Sequence, residues 1–210
     1  MPMKTKVGFK GCPALTFRGV DFFEIDALDE LFNLRRSIIK FRKNLLGHQS
    51  AVILANQYFF IGSDESDRIE KAVLLRERAQ YLGAKVCIIN AASAKSSICE
   101  FKFAVQELSE NGISVYLDSD QDKNPQTASI PKLLGVLDPL WDHKRCKNYN
   151  YWRVHGWHPE RWVRMYSSEA LRSLAVQVKK IKPEYLSFAH SQRETQAISF
   201  IDHLKALTQD

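Results

Sequence analysis

Three nearly continuous apolar runs dominate the middle of the chain: residues 51–62 (AVILANQYFFIG), 85–90 (KVCIIN) and 113–117 (ISVYL). Between them, apolar positions recur at helical spacing. Ile69, Ala72, Val73, Ala79 and Leu82 follow the acidic start SDESD at residues 63–67, and Gly83 ends that run. A second helical run covers residues 95–111 and stops at Gly112. A strand that alternates apolar and polar has one wet face, whereas a strand that is apolar throughout is covered on both. The pattern predicts β-α-β-α-β over about residues 51–118, a mostly parallel sheet with helices on its faces. The first run fits either one bent buried strand or a tight hairpin turning at Asn56-Gln57.

The flanks read differently. Val7, Phe9, Leu15, Phe17, Val20, Phe22, Phe23 and Ile25 surround the Gly11-Cys12-Pro13 break and predict an N-terminal β-hairpin. Asp26 is expected to cap a helix with Asp29 and Glu30 early and Arg35, Arg36, Lys40, Arg42 and Lys43 late, the order the helix dipole favours. Beyond a polar loop at residues 118–129, Ser129 and Pro131 predict a short helix to about Leu137. Residues 141–166 read as irregular. Ser167 caps a helix running to Ile181, residues 185–189 form a short strand, and Ser191 with Glu194 makes a capping box for a terminal helix.

The expected fold class is therefore α/β, a single domain over residues 1–210. A mostly parallel central sheet carries an N-terminal hairpin plus helix and a helical, aromatic-rich C-terminal extension. The chain has 210 residues, 45% of them hydrophobic and 26% charged, a balance that excludes disorder and low complexity. No apolar run approaches the roughly 18 residues of a membrane span. The start MPMKTKVGFKG has no apolar core behind its lysines, so it is not a secretory signal. Cys12, Cys87, Cys99 and Cys146 form no CxxC pair, which fits reduced thiols in the cytoplasm.

Charge changes the picture of the C-terminal third. The net charge is +6, yet residues 141–182 alone carry ten basic and three acidic side chains. All four tryptophans fall there too: Trp141, Trp152, Trp157 and Trp162. Aromatic faces stack on unpaired bases while cations neutralise phosphates, and the same residue types dominate protein hot spots. The candidate binding residues are Lys144, Arg145, Tyr149, Tyr151, Trp152, Arg153, Trp157, Arg161, Trp162 and Arg164. A loop pinned to the core by its tryptophans accounts for the same composition.

Two further constellations carry possible chemistry. His143, Cys146, His155 and His158 form two closely spaced pairs, the way short loops present ligands to zinc. Asp64 and Glu65 follow one expected strand, and Asp118 and Asp120 follow another. Carboxylates beyond strand ends are suited to Mg²⁺ and phosphoryl transfer. The stretch LDSDQD at residues 117–122 resembles the Asp-x-Asp motif of the toprim family of primases, topoisomerases and nucleases. That resemblance implies Mg²⁺ on these acids. It departs from the family in that Gly62-Ser63 precede the first acids and no glycine follows the Asp-x-Asp.

No phosphate-binding glycine loop and no nucleophile elbow stands in the sequence. The residues therefore point to a binding protein rather than a catalyst. The expected role is an inhibitor or accessory factor acting on a nucleic-acid-processing or DNA-transfer machine of plasmid or phage type. Its partner would be a protein of that machine or single-stranded nucleic acid. A toprim-like Mg²⁺ enzyme and a zinc-stabilised nucleic-acid binder are the alternatives.

Overall fold

The computed structural model describes residues 5–11, 19–26, 39, 42–45, 47, 49–56, 64–90, 101–118, 133–140, 146–158, 161–162, 165–190 and 192–209. In chain order the strands are β1 (Lys6–Lys10), β2 (Phe22–Asp26), β3 (Ser50–Asn56), β4 (Val86–Asn90), β5 (Ser114–Asp118), β6 (Leu133–Leu137), β7 (Tyr151–Val154), β8 (Trp157–His158), β9 (Arg161–Trp162) and β10 (Tyr185–Phe188). The helices are α1 (Glu65–Tyr81), α2 (Lys102–Glu110), α3 (Ser168–Ile181) and α4 (Arg193–Gln209). Backbone pairing links eight strands in the order β1-β10-β7-β6-β5-β4-β3-β2, while β8 and β9 form a separate ribbon. The chain divides into two compact units. One contains β1, β7, β10, α3 and α4; the other contains β3, β4, β5, α1 and α2. The division passes through β2 after Phe23 and through β6 after Gly135.

The second unit is the part that the apolar runs announce. β3, β4 and β5 pair in parallel, and β5 pairs in parallel with β6. Residues 51–55 and 86–89 are buried without interruption, as strands covered on both faces must be. Of the long first run, Ser50–Asn56 is strand, and residues 57–63 lie outside the described residues. α1 buries Ala72, Leu75 and Ala79, and α2 buries Ala104, Val105 and Leu108. Arg76 on α1 donates to Glu107 on α2 at 2.6 Å, tying the two helices at their edge. The expected start of α2 at residue 95 lies outside the described residues, as does most of the helix expected after Asp26. Ile39 and residues 42–44 are helical.

The first unit corrects the reading of the C-terminal third. Residues 133–137 are strand, not the end of a helix opened at Ser129 and Pro131. Residues 151–154 are a strand buried at every position, not an irregular loop. Both belong to the parallel array, with β6 on β7, β7 on β10 and β10 on β1. The third is thus not a helical extension of the sheet but a contributor of strands to it. α3 begins where its cap predicts, with the Ser167 side chain accepting from the Ala170 N–H at 3.2 Å.

Parity separates the two faces of this array. Phe188 packs on Phe200 of α4 with ring centroids 5.6 Å apart, so Leu186 and Phe188 face the helix. In register with them are Val7, Phe9, Trp152 and Val154. The opposite face carries Lys6, Tyr185 and Tyr151 at one level and Gly8, Ser187 and Arg153 at the next. Tyr151 and Tyr185 stack at 5.4 Å, and the Phe22 ring meets both edge-on. Lys6 lies 4.9 Å from the Tyr185 ring centroid. Gly8 is required there, because a Cβ would fall 2.4 Å from the Phe22 carbonyl oxygen. Among the described residues no helix is long and apolar enough to cross a membrane.

Candidate active site

Parallel strands present their carboxyl ends together, and polar side chains gather there because the loops that follow are open to ligands. In the second unit the register brings the last residues of β3, β4 and β5 level: Asn56, Asn90 and Asp118. Asp118 is buried.

The first unit has a richer set. Leu137 is level with Trp152, so Asp138 continues the rung that carries Arg153 and Ser187. The Asp138 carboxylate accepts the Leu140 N–H at 3.0 Å with one oxygen and the His155 N–H at 2.9 Å with the other. It thereby fixes the chain where it leaves β6 and where it leaves β7. Gly156 follows at φ 72°, a left-handed conformation that glycine adopts without strain. Tyr166, just before α3, lies beside Asp138 and Gly156. Its ring meets the His190 ring edge-on, with centroids 5.5 Å apart. Gln196 of α4 grips the Tyr166 backbone from both sides: its Oε1 accepts the Tyr166 N–H at 2.8 Å, and its Nε2 donates to the Tyr166 carbonyl at 3.3 Å.

Electrostatics fix the state of the phenol. Burial first, and then the Asp138 carboxylate, push Tyr166 far above the ordinary tyrosine range; the nearby Gly156 N–H favours the phenolate and opposes them. Tyr166 is therefore a neutral donor at physiological pH. Its hydroxyl finds no partner in hydrogen-bonding geometry. A buried hydroxyl without a partner costs on the order of 1–3 kcal/mol, so a bound group that accepts from it would recover that loss. His190 is buried, and its Nδ1 accepts the Gln192 N–H at 3.3 Å.

The residues picked from the sequence are dispersed. Tyr151 and Trp152 are 0% exposed and Arg153 is 3%, so these three cannot form an exposed binding surface. Their aromatic and apolar bodies fill the array, and the Trp152 indole N–H is spent on the Tyr149 carbonyl at 3.0 Å. Tyr149 is half-buried. Trp157, Arg161 and Trp162 lie in the β8–β9 ribbon, where Trp157 is paired with Trp162 and His158 with Arg161. Lys144, Arg145 and Arg164 lie outside the described residues.

Of the expected zinc set, His143 lies outside the described residues, Cys146 begins a short 3-10 turn, His155 follows β7 and His158 is in β8. Of the expected Mg²⁺ set, Asp120 lies outside the described residues and Asp118 ends β5. Asp64 and Glu65 belong to the start of α1: the Asp64 side chain accepts the Asp67 N–H at 2.8 Å, and Glu65 is exposed in the first turn. Helix capping accounts for both acids. Among the described residues, no three His, Cys, Asp or Glu side chains converge to hold a metal ion. Asp64→Ala is expected to cost about 0.5–2 kcal/mol in urea denaturation, the worth of an N-cap, with Asp64→Asn close to wild type. An Asn variant as unstable as Ala would mean that the carboxylate does something other than cap.

Reasoning from sequence passed over Asp138, Ser187 and His190. Each sits at or just past a short apolar run: LLGVL before Asp138, YLSFA around Ser187 and before His190. The first run reads as the end of a helix and the second as an isolated last strand; placed in one parallel series, their polar neighbours stand out as strand-end residues.

No protein-family model and no curated protein sequence matches the chain. Solved structures do. A DUF72 family protein of Enterococcus faecalis superposes with a TM-score of 0.66 at 10% identity, covering 96% of this chain and 95% of that one. D-allulose 3-epimerase from Methylomonas sp. gives 0.63 at 11% identity, covering 98% of each. A xylose isomerase-like TIM barrel/4-hydroxyphenylpyruvate dioxygenase fusion protein gives 0.60 at 13% identity, covering 96% of this chain and 42% of that one. Identities this low speak for the fold alone. These likenesses correct the expectation of an inhibitor or accessory factor for a DNA-transfer machine, since the barrels with a stated role are enzymes. They also set aside a toprim-like core, because the β-α-β-α-β run is one stretch of a longer parallel series. The chain has an α/β fold of the TIM-barrel type, like the xylose isomerase-like and DUF72 structures it resembles.

Proposed function

We propose that this protein is an acid–base enzyme that moves a proton at the carbon beside the carbonyl of a small polyhydroxylated substrate. The observation that carries the reading is the buried, neutral Tyr166 hydroxyl, which no protein group meets in hydrogen-bonding geometry, held beside Asp138 and His190 at the carboxyl ends of β6, β7 and β10. Enzymes of the TIM-barrel type place their chemistry at that end of the strands. One structure that the chain resembles is named a 3-epimerase of a ketose.

The chemistry needs a base for the C–H proton and a donor for the oxygen. His155, half-exposed at the end of β7, is the base. Imidazole is the side chain best matched to proton transfer near neutral pH. Asp138 positions it by holding its backbone N–H. When the proton passes from carbon to imidazole, the C–H electron pair moves into the new C=C bond and the carbonyl π pair moves onto oxygen, giving an enediolate. Tyr166 donates to that oxygen. His155 returning its proton to the face it left restores the carbon; inversion takes a proton from water on the opposite face, and the imidazolium then releases its own proton to solvent. The step consumes no oxidant and no co-reactant.

The test is incubation with a panel of ketoses including D-allulose and L-ribulose, with C3 epimers separated by chromatography. Formation of an epimer from at least one ketose, abolished in Tyr166→Phe, is expected. A panel in which no ketose forms an epimer and none exchanges its C3 proton in D₂O, at high protein concentration, would remove the reading.

A further inference from the structure

We infer that His190 is a second neutral donor and that, together with Tyr166, it forms a site for a planar oxyanion of the enediolate type. The inference rests on the acid–base reading above and names the ligand class that the same site takes. Three observations carry it. The first is the tautomer. The Gln192 backbone N–H donates to Nδ1 of His190 at 3.3 Å, and a backbone N–H can only donate. Nδ1 is thus the unprotonated nitrogen, and the single ring proton of the neutral imidazole lies on Nε2. Protonating Nδ1 would set two N–H groups against each other across that distance.

The second observation is how firmly the ring is held. His190 is 5% exposed, and its own carbonyl accepts the Arg193 N–H at 3.2 Å in the first turn of α4. The Phe188 and Tyr166 rings both pack edge-to-face against it, with centroids 6.0 and 5.5 Å away. The ring is fixed by the backbone on one nitrogen and by aromatic faces on its sides. It is poorly placed to flip and accept, and well placed to donate from Nε2.

The third observation is its neighbour. The Tyr166 hydroxyl is buried, protonated and without a partner in hydrogen-bonding geometry. Two neutral donors on rings in edge-to-face contact suit an oxygen on which negative charge develops, because they need little reorganisation as the charge forms. A neutral imidazole also suits the chemistry better than a cation. Its N–H is nearer in acidity to an enediol, so the proton is shared without stranding a stable ion pair. The carbonyl of an unreacted ketose, with less charge, gains less from the same pair.

Acetohydroxamic acid, a small planar acid whose anion has the shape of an enediolate, is the probe. Two measurements on the full chain test the inference. A two-bond ¹H–¹⁵N correlation at pH 7.5 should show His190 protonated on Nε2 and bare on Nδ1, with the Nε2–H resonance moving downfield when acetohydroxamate is added. Titration calorimetry should show Tyr166→Phe binding the probe at least tenfold more weakly than wild type, with a melting temperature within a few degrees of wild type, since no protein group meets the hydroxyl in hydrogen-bonding geometry. A His190 protonated on Nδ1 would overturn the inference. So would wild-type protein that fails to bind the probe, or Tyr166→Phe binding it unchanged. The two readings separate cleanly. Ketose turnover without hydroxamate binding removes only this inference. Hydroxamate binding that needs Tyr166, without any ketose turnover, removes only the epimerase-type reading.

Discussion

Trp152→Ala is expected to destabilise the protein by about 3–5 kcal/mol. The side chain is wholly buried on the α4-facing side of β7, level with Leu186 of β10. Its indole N–H is satisfied by the Tyr149 carbonyl at 3.0 Å. Truncation removes the transfer energy of the largest side chain, opens a cavity that neighbouring strands cannot collapse into, and leaves that carbonyl without its donor. The measurement is urea denaturation followed by circular dichroism. A loss below about 1 kcal/mol would show that Trp152 is a surface residue after all. The result matters beyond stability, because the same tryptophan is the one an exposed aromatic-basic surface would use to bind.

The second large effect is functional. His155→Gln should lower the rate of C–H proton transfer by about 10²–10⁴-fold, the usual contribution of a positioned general base. Gln keeps the backbone that donates to Asp138 and a polar side chain of similar reach, so the fold should stand. Single-turnover rates in wild type and variant, alongside melting temperatures, separate the two causes. Equal rates with equal stability would take the base role from His155 and return the question to Asp138.

How much of this was legible without coordinates depends on the local residues. β3, β4 and β5 were visible because Ala51 to Ala55, Val86 to Ile89 and Val115 to Leu117 are uninterrupted apolar runs flanked by helical spacing. α1 and α3 were visible because Asp64 and Ser167 are side-chain caps and behave as such. β6 was hidden: five apolar residues with Gly135 in the middle fit a buried strand or a helix end alike, and Ser129-Pro131 looked like a helix start. β7 was hidden by its chemistry. Tyr-Trp-Arg next to further tryptophans reads as a binding surface, whereas here Tyr151 stacks on Tyr185 and Arg153 is buried in the rung of Ser187. With β6 unread, Asp138 had no strand end to belong to; His190 lies just past a strand that the apolar run at residues 185–189 does predict, but nothing in the sequence joins that strand to the parallel series. Of the residues placed in the site, only His155 was picked beforehand, and then as a metal ligand.

The same burial explains why charge misled. The basic excess of residues 141–182 is real, but it is divided between a buried arginine on β7, the β8–β9 ribbon and the exposed face and C-terminal end of α3. Arg172, Lys179 and Lys180 on α3 are exposed, and the two lysines lie where the helix dipole favours cations. A composition window sums these as one patch, although they belong to separate elements.

The most direct measurement is hydrogen exchange at carbon. D-Allulose and L-ribulose would be incubated with the protein in D₂O and their C3 proton signals followed by NMR. Unlike product analysis, this registers every enediolate formed, whichever face receives the returning proton. Loss of a C3 signal with wild-type protein, at least a hundredfold slower with His155→Gln and strongly slowed with Tyr166→Phe, is the predicted result. C3 signals that persist unchanged with wild-type protein would contradict proton transfer at this site.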